Sequence, residues 1–306
     1  MRYSGIYVYV RCLRIISTTL LVSLLLTHVS GCAEVPISAL SKPHGIGTEM
    51  DAARNDANVF FFEDFEDENY ENHFGRQSHS KNRKLISGNV VFNGKKSLRI
   101  SVDRGENYGS SLNYRFIDAG MDEPTELYAR YYLRFDDSWN VIKGGGKLPG
   151  PAGRYNRGGW GGRTSDGTNG WSARMKFGRS WFDSDHIDVG YYTYHANMSG
   201  KYGDIMHWSK DNRGTLQKNR WYCIETYVKL NTIGNSDGIL RGWVDGYLAM
   251  EDENITFRTS SDLKVEEFWI NIYYGGGWQA PNNMHLYIDN LVLSTHRIGT
   301  TKGQEN

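Results

Sequence analysis

"ELYARYYLRF", Glu126 to Phe135, decides the fold. Leu127, Ala129, Tyr131, Leu133 and Phe135 recur at every second position and fall on one side of an extended chain. Tyr128, Arg130, Tyr132 and Arg134 fall on the other. Runs of the same kind stand on both sides of it: "VFFFEDF", "SLRISV", "SLNYRFI", "WSARMKF", "DVGYYTYH", "WYCIETYVKL", "ILRGWVDGYLAM", "FWINIYY" and "LYIDNLVLS". Each is rich in aromatic or β-branched residues, and Gly, Asn and Asp separate them. No long amphipathic helix competes with this pattern. Many short strands with turn residues between them predict an all-β chain of two packed antiparallel sheets, a sandwich or β-jelly roll. "VDGYLAM", Val244 to Met250, predicts a hairpin turned at Asp245 and Gly246, where Asp-Gly accepts positive φ at little cost.

Outward from the strands, the chain divides into four parts. Arg2, Arg11 and Arg14 precede an apolar run from Ile15 to Leu26, the layout of a secretory signal and too short for a membrane-spanning helix. The run ends in "VSGC", Val29 to Cys32, which is similar to a bacterial lipobox, so Cys32 is expected to carry lipid. Residues 1–31 then form a signal peptide and 32–57 a flexible tether without sustained periodicity. Residues 58–298 form the folded domain and 299–306 a disordered tail. The expected location is the cell envelope, as an outer-membrane or periplasm-facing lipoprotein, with release as a secreted protein the alternative. Cys223 is the domain's lone cysteine, so no internal disulfide is expected, and stability must come from the core. A monomer is expected.

Charge is distributed unevenly. From Val141 to Trp181 there are eight basic residues (Lys143, Lys147, Arg154, Arg157, Arg163, Arg174, Lys176 and Arg179) against one acid, Asp166, a net +7. The whole chain balances 35 basic with 35 acidic residues; without the leader's three arginines the ratio is 32 to 35, a net −3. The remainder therefore carries −10, and a cationic segment on an acidic protein suits a local anionic ligand better than general adhesion to polyanions. Nucleic acid is disfavoured, because the acidic remainder repels a long duplex and no recognised binding motif is present. Within the segment, Ser172, Arg174 and Lys176 are predicted to share one strand face, with Trp171, Ala173, Met175 and Phe177 on the other. In the next strand Tyr192 and Tyr194 share a face, and Tyr191, Thr193 and His195 take the opposite one. The glycines of the segment are expected to let the backbone turn sharply and lie close to a ligand.

"GGGKLPG" (Gly144 to Gly150), "WSAR" (Trp171 to Arg174), "YYTYH" (Tyr191 to His195) and "SDGILRGWVDG" (Ser236 to Gly246) carry a resemblance. They are similar to the polysaccharide lyases that comprise alginate lyases and, in a related group, glucuronan lyases. In outline the resemblance spans about Phe60 to Ser294, and it is specific from Lys147 to Tyr194. It implies a concanavalin-like β-jelly roll that cleaves polyuronates by β-elimination without a cofactor. By motif it places Lys147, Ser172, Arg174, Tyr192 and Tyr194 in the catalytic groove. The turn "SWFDSDHID", Ser180 to Asp188, is longer than the family's, so Tyr191 stays a candidate beside Tyr192 and Tyr194.

The chemistry accounts for these residue types. Removing a uronate's C5 proton spreads negative charge onto its carboxylate, which needs cations or hydrogen-bond donors; Arg174 and Lys147 are the candidates. A base must take that proton and an acid must protonate the departing O4. Tyrosine can serve in both roles if nearby positive charge lowers its ordinary pKa of about 10. Arg154, Arg157 and Arg163 are expected to grip flanking carboxylates in bidentate fashion, with His195 as a further substrate contact or a structural histidine. A structural calcium held by Asp289 with Glu63 or Asp64 is a weaker expectation; no His or Cys cluster has metal-ligand spacing. Two other function classes stay open. A glycoside hydrolase needs two carboxylates flanking the bond, and the acid cluster "EDFEDE", Glu63 to Glu68, does not resemble the hydrolase motif on this architecture. A lipid-anchored protein that captures polyuronate without cutting it would use the same aromatic and arginine residues.

Overall fold

The computed structural model describes residues 52–300. The leader, Cys32, most of the tether and residues 301–306 lie outside the described residues. Seventeen strands run through the described residues. In chain order they are β1 (Val59–Glu63), β2 (Arg76–Ser78), β3 (Arg83–Ser87), β4 (Lys96–Val102), β5 (Tyr108–Arg115), β6 (Glu126–Phe135), β7 (Gly145–Lys147), β8 (Gly150–Gly153) and β9 (Trp171–Arg179). There follow β10 (His186–Tyr194), β11 (Asp204–His207), β12 (Thr215–Gln217), β13 (Tyr222–Lys229), β14 (Gly238–Val244), β15 (Tyr247–Ile255), β16 (Glu267–Tyr274) and β17 (Met284–Ser294).

They form two antiparallel sheets, so the described residues make a β-jelly roll. One sheet has the order β15-β14-β13-β6-β17-β4-β3, with β1 also paired to β17; the other runs β11-β10-β9-β7-β16-β5-β2, with β12 on β10 and β8 between β16 and β9. The alternation in β6 places Leu127, Ala129, Tyr131, Leu133 and Phe135 in the core between the sheets. There the Tyr131 ring approaches Phe268 of the opposite sheet at 6.4 Å and Phe135 approaches Phe177 at 6.2 Å. From β9, Trp171, Ala173, Met175 and Phe177 enter the same core, as the period-two pattern requires. Asp245 (φ 50°) and Gly246 (φ 80°) make the two-residue turn between β14 and β15.

The outer face of the β6 sheet is more buried than alternation alone implies. Arg130 and Tyr132 are buried there, because the chain's last described residues and the segment before β4 cover that face. Glu225 of β13 accepts the backbone N–H groups of Ile298 (2.7 Å) and Gly299 (3.1 Å), and Arg130 donates to the Gly299 carbonyl (3.1 Å). Asp289 of β17 accepts the N–H groups of Phe92 (3.1 Å), Asn93 (3.3 Å) and Asn290 (2.8 Å). Burial pushes its carboxyl up to about 8. These bonds alter the calcium expectation. Asp289's oxygens serve backbone donors, while those of Glu63 serve the Phe65 N–H and His73, and the described residues contain no group of three or more His, Cys, Asp or Glu side chains that could hold a metal ion.

Candidate active site

Four adjacent strand segments of the second sheet make the floor of a cleft of about 380 Å³ on its outward face. β10 supplies Tyr192 and Tyr194, β9 supplies Arg174, β7 supplies Lys147, and β16 supplies Trp269, Asn271 and Tyr273. Register brings them together. Arg174 lies opposite Tyr192, and Lys147 opposite both Lys176 on β9 and Tyr273 on β16. The glycines that precede Lys147 make that insertion possible. A Cβ on Gly145 would lie 2.1 Å from the Phe177 carbonyl, and one on Gly146 2.1 Å from the Tyr273 carbonyl. Sequence reading assigned the glycines to close approach of a ligand; here they admit β7 between two neighbouring strands.

Burial and like charge set the electrostatics. The Lys147 amine sits 3.4 Å from the centroid of the Tyr192 ring. Burial first, then Arg174 and Lys176, push its pKa down to about 6. Arg174 is buried, donates through Nη1 to Asn271 Oδ1 at 2.7 Å, and stacks 4.3 Å from the Trp269 ring, while its Nε finds no acceptor. Burial and Arg154 lower its pKa to about 10. Arg154 lies on Trp269 at 3.4 Å and is ion-paired with Glu267, whose other oxygen accepts from Asn113 at 2.6 Å. Among the cleft-lining residues there is no carboxylate.

The tyrosines occupy different settings. The rings of Tyr192 and Tyr194 meet edge to face at 5.6 Å. Tyr194 is fully buried, and its hydroxyl accepts the Gly162 N–H at 3.1 Å. Tyr192 is half-buried, and its hydroxyl is pushed above the usual tyrosine range by burial and by Tyr194, against a smaller opposing effect of Arg174. The expectation that the cationic segment would lower a tyrosine pKa therefore fails at Tyr192, because desolvation outweighs the cation. Tyr191 points into the core and donates to the Arg241 carbonyl at 2.7 Å.

The remaining sequence candidates separate from the floor. Ser172 is fully buried beneath it and donates to the Gly159 carbonyl at 2.6 Å, which fixes the loop between β8 and β9. Arg157 and Arg163 do not line the cleft: Arg157 rests 5.3 Å from the Tyr155 ring, and Arg163 4.6 Å from Trp160, which does line it. His195 also stands outside the lining, with Nε2 bonded to Asp204 at 2.8 Å. Sequence reading named no residue of β16 as a site residue. Its signal was the alternation in "EFWINIYY", where Glu267, Trp269, Asn271 and Tyr273 share one face while Phe268, Ile270, Ile272 and Tyr274 enter the core.

Comparison with known proteins bears on the family and the fold. Residues 92–291 match the model of the polysaccharide lyase 14 family. Among solved structures, a double mutant of the alginate lyase Aly36B in complex with an alginate trisaccharide is 25% identical, with 66% of this chain and 82% of that one covered and a TM-score of 0.55. An alginate lyase from Aplysia kurodai is 17% identical over 78% of this chain and all 100% of its own, at a TM-score of 0.61. An endo-β-1,4-glucuronan lyase from the fungus Trichoderma reesei is 16% identical over 78% of this chain and 96% of its own, at 0.54. The last two likenesses are of fold. No curated protein sequence matches significantly. With the family match spanning β4 to β17 and every strand of the cleft floor, the chain belongs to the polysaccharide lyase 14 family.

Proposed function

We propose that the protein cleaves an anionic polyuronate, alginate or glucuronan, by β-elimination in the cleft between Lys147 and Tyr194. One observation carries the reading. A partly buried amine with its pKa lowered to about 6 stands beside a buried arginine and two tyrosines, in a lining that holds no carboxylate. A general base works best when its pKa is near the working pH, and in the free protein at neutral pH the Lys147 amine is mostly unprotonated.

The steps follow from that. Arg174, fixed by Asn271 and Trp269, meets the uronate carboxylate and stabilises the charge that grows on it as the C5–H bond breaks. The neutral Lys147 amine takes the C5 proton. Its new positive charge then lies beside the carbanion-like intermediate. The C4–O4 bond breaks, a C4=C5 double bond forms, and O4 leaves with a proton from the Tyr192–Tyr194 pair. Tyr192 suits the donor role, since its raised pKa keeps it protonated. Lys147 returns its proton to solvent and the tyrosine regains one from it. Arg154, already bonded to Glu267, serves as a fixed wall under Trp269 more than as a free carboxylate grip.

The test is incubation of the purified protein with alginate, glucuronan and a neutral glucan, followed by the ultraviolet absorbance of the unsaturated product. Product from a polyuronate alone is expected. Binding of polyuronate without product would leave a capture protein. A lipid tether at Cys32 in the cell envelope is part of the proposal: Cys32→Ser is expected to move the protein from the membrane to the soluble fraction.

A further inference from the structure

We infer that the loop between β16 and β17 builds a flanking subsite for a second uronate residue, with Trp278 as the sugar platform and Lys143 and Arg104 as cations for its carboxylate. The inference rests on the polyuronate reading of the cleft and extends it to a place that the elimination chemistry does not use.

A second hollow of about 740 Å³ adjoins the cleft and shares Tyr273 and Gly276 with it, so a chain lying in one continues into the other. Its lining, like the cleft's, contains no Asp or Glu. Trp278 is 44% exposed there. An indole left in water on an ordered loop is informative, because tryptophan is normally buried over most of its surface. The Lys143 amine lies 4.0 Å from the Trp278 ring centroid, and neither Lys143 nor Arg104 forms an ion pair with another described residue. An exposed indole with an ammonium over its ring, and Arg104 in the same hollow, matches a uronate, whose ring C–H groups can lie on the indole surface that the ammonium leaves open while its carboxylate meets the cations.

The platform is held in place. Asn107 Nδ2 donates to the carbonyls of Trp278 (2.6 Å) and Tyr274 (2.8 Å), and the Gly275 N–H donates to the Gly145 carbonyl (2.7 Å). The indole also rests on Gly144, where a Cβ would lie 2.6 Å from Trp278 Cδ1. The segment that carries Lys147 into the cleft thus also sets the position of the platform beside it.

The experiment measures kcat/KM on a series of polyuronate oligomers from trimer to octamer for the wild type, Trp278→Ala, Lys143→Gln and Gly144→Ala. Calorimetric binding of the hexamer is measured alongside, in a Lys147→Met background that holds turnover down. Trp278→Ala is expected to remove about tenfold of the advantage that long oligomers have over short ones, the equivalent of about 1.4 kcal/mol. Gly144→Ala, which displaces the indole while keeping it and also strains a backbone at φ 72°, should do the same, and Lys143→Gln should flatten the salt dependence of hexamer binding. A loss equal at every length, or hexamer binding unchanged by Trp278→Ala, overturns the subsite even in an active lyase. If the wild type yields no unsaturated product, the lyase reading fails, while weakened hexamer binding by Trp278→Ala still supports the subsite. Absence of any polyuronate binding by the wild type overturns both. Thermal melts of each variant exclude unfolding as the cause.

Discussion

The outward faces of the two sheets both carry buried charge, and they treat it in opposite ways. On the β6 sheet the chain itself meets the buried acids, with Glu225 accepting from Ile298 and Gly299 and Asp289 from Phe92, Asn93 and Asn290, and the buried Arg130 donates to Gly299. On the β16 sheet Arg154 is paired with the buried Glu267, while Arg174 and the partly buried Lys147 line the cleft without a carboxylate partner. Arg174 has one protein acceptor and an unmatched Nε, and Lys147 has a tyrosine ring and no carboxylate. Cations that stand in an open cleft without a carboxylate partner are costly to keep there, and they suit an anionic ligand. The closed face serves stability; the open one serves binding and chemistry.

The largest effects expected on the open face come from its two cations. Lys147→Met should lower kcat by about 10³-fold, the range for loss of a general base, with the melting temperature preserved or raised. Arg174→Ala should lower both kcat and affinity, since the guanidinium meets the carboxylate before and during reaction. Steady-state kinetics on polyuronate measure both. If Lys147→Met keeps its turnover, the base lies elsewhere, and the contrast between the two faces loses its catalytic meaning.

Next come the tyrosines. Tyr192→Phe and Tyr194→Phe keep the rings and remove the hydroxyls, and at least one should lose on the order of 10²-fold in kcat with affinity and melting temperature near the parent's. Both variants at full activity would return the donor role to another group. The pH profile then sharpens the assignment. If the neutral amine of Lys147 is the base, kcat/KM should rise with pH and level off above about 6, falling about tenfold per unit below that. A profile with no acid limb near that value would contradict it.

How much of this was legible in the sequence follows from what each signal depends on. The β6 alternation was visible because period two is a local property, and so were the two faces of β9 and the Asp245–Gly246 turn. The pairing of β7 between β9 and β16 was not, because register among strands distant in sequence leaves no local trace. For that reason the contributions of Trp269, Asn271 and Tyr273 were missed although their strand was recognised. Grouping the cations by sequence proximity was informative but too coarse. Lys147, Arg154 and Arg174 reach the cleft, whereas Arg157 and Arg163 pack on aromatic rings beside it. Pairing also escapes a sequence: nothing in "GPAGRYNR" reveals that Arg154 meets Glu267.

The smallest expected effect tests both faces at once, through the opposite signs of two titrations. Asp289 is raised to about 8 in the fold, so between its unfolded value of about 3.9 and about 8 the folded state binds a proton that the unfolded state has released. Its contribution to stability therefore falls as pH rises through that window. Lys147 is lowered to about 6, so between about 6 and its unfolded value of about 10.4 the unfolded state binds the extra proton. Its contribution rises with pH there. From pH 6 to 8 the two oppose each other, and each single variant should unmask the other. Relative to wild type, the change in melting temperature from pH 6 to pH 8 should become more positive in Asp289→Asn and more negative in Lys147→Met. In a domain of this size about 1 kcal/mol of unmasked titration appears as roughly 2–4 °C, within reach of thermal scanning at low ionic strength. Asp289→Asn should leave the acid limb of kcat/KM where it was, since Asp289 lies on the closed face. Parallel shifts of the same sign in both variants would mean that the two buried groups do not titrate as their surroundings dictate. A displaced acid limb in Asp289→Asn would mean that the faces are not independent.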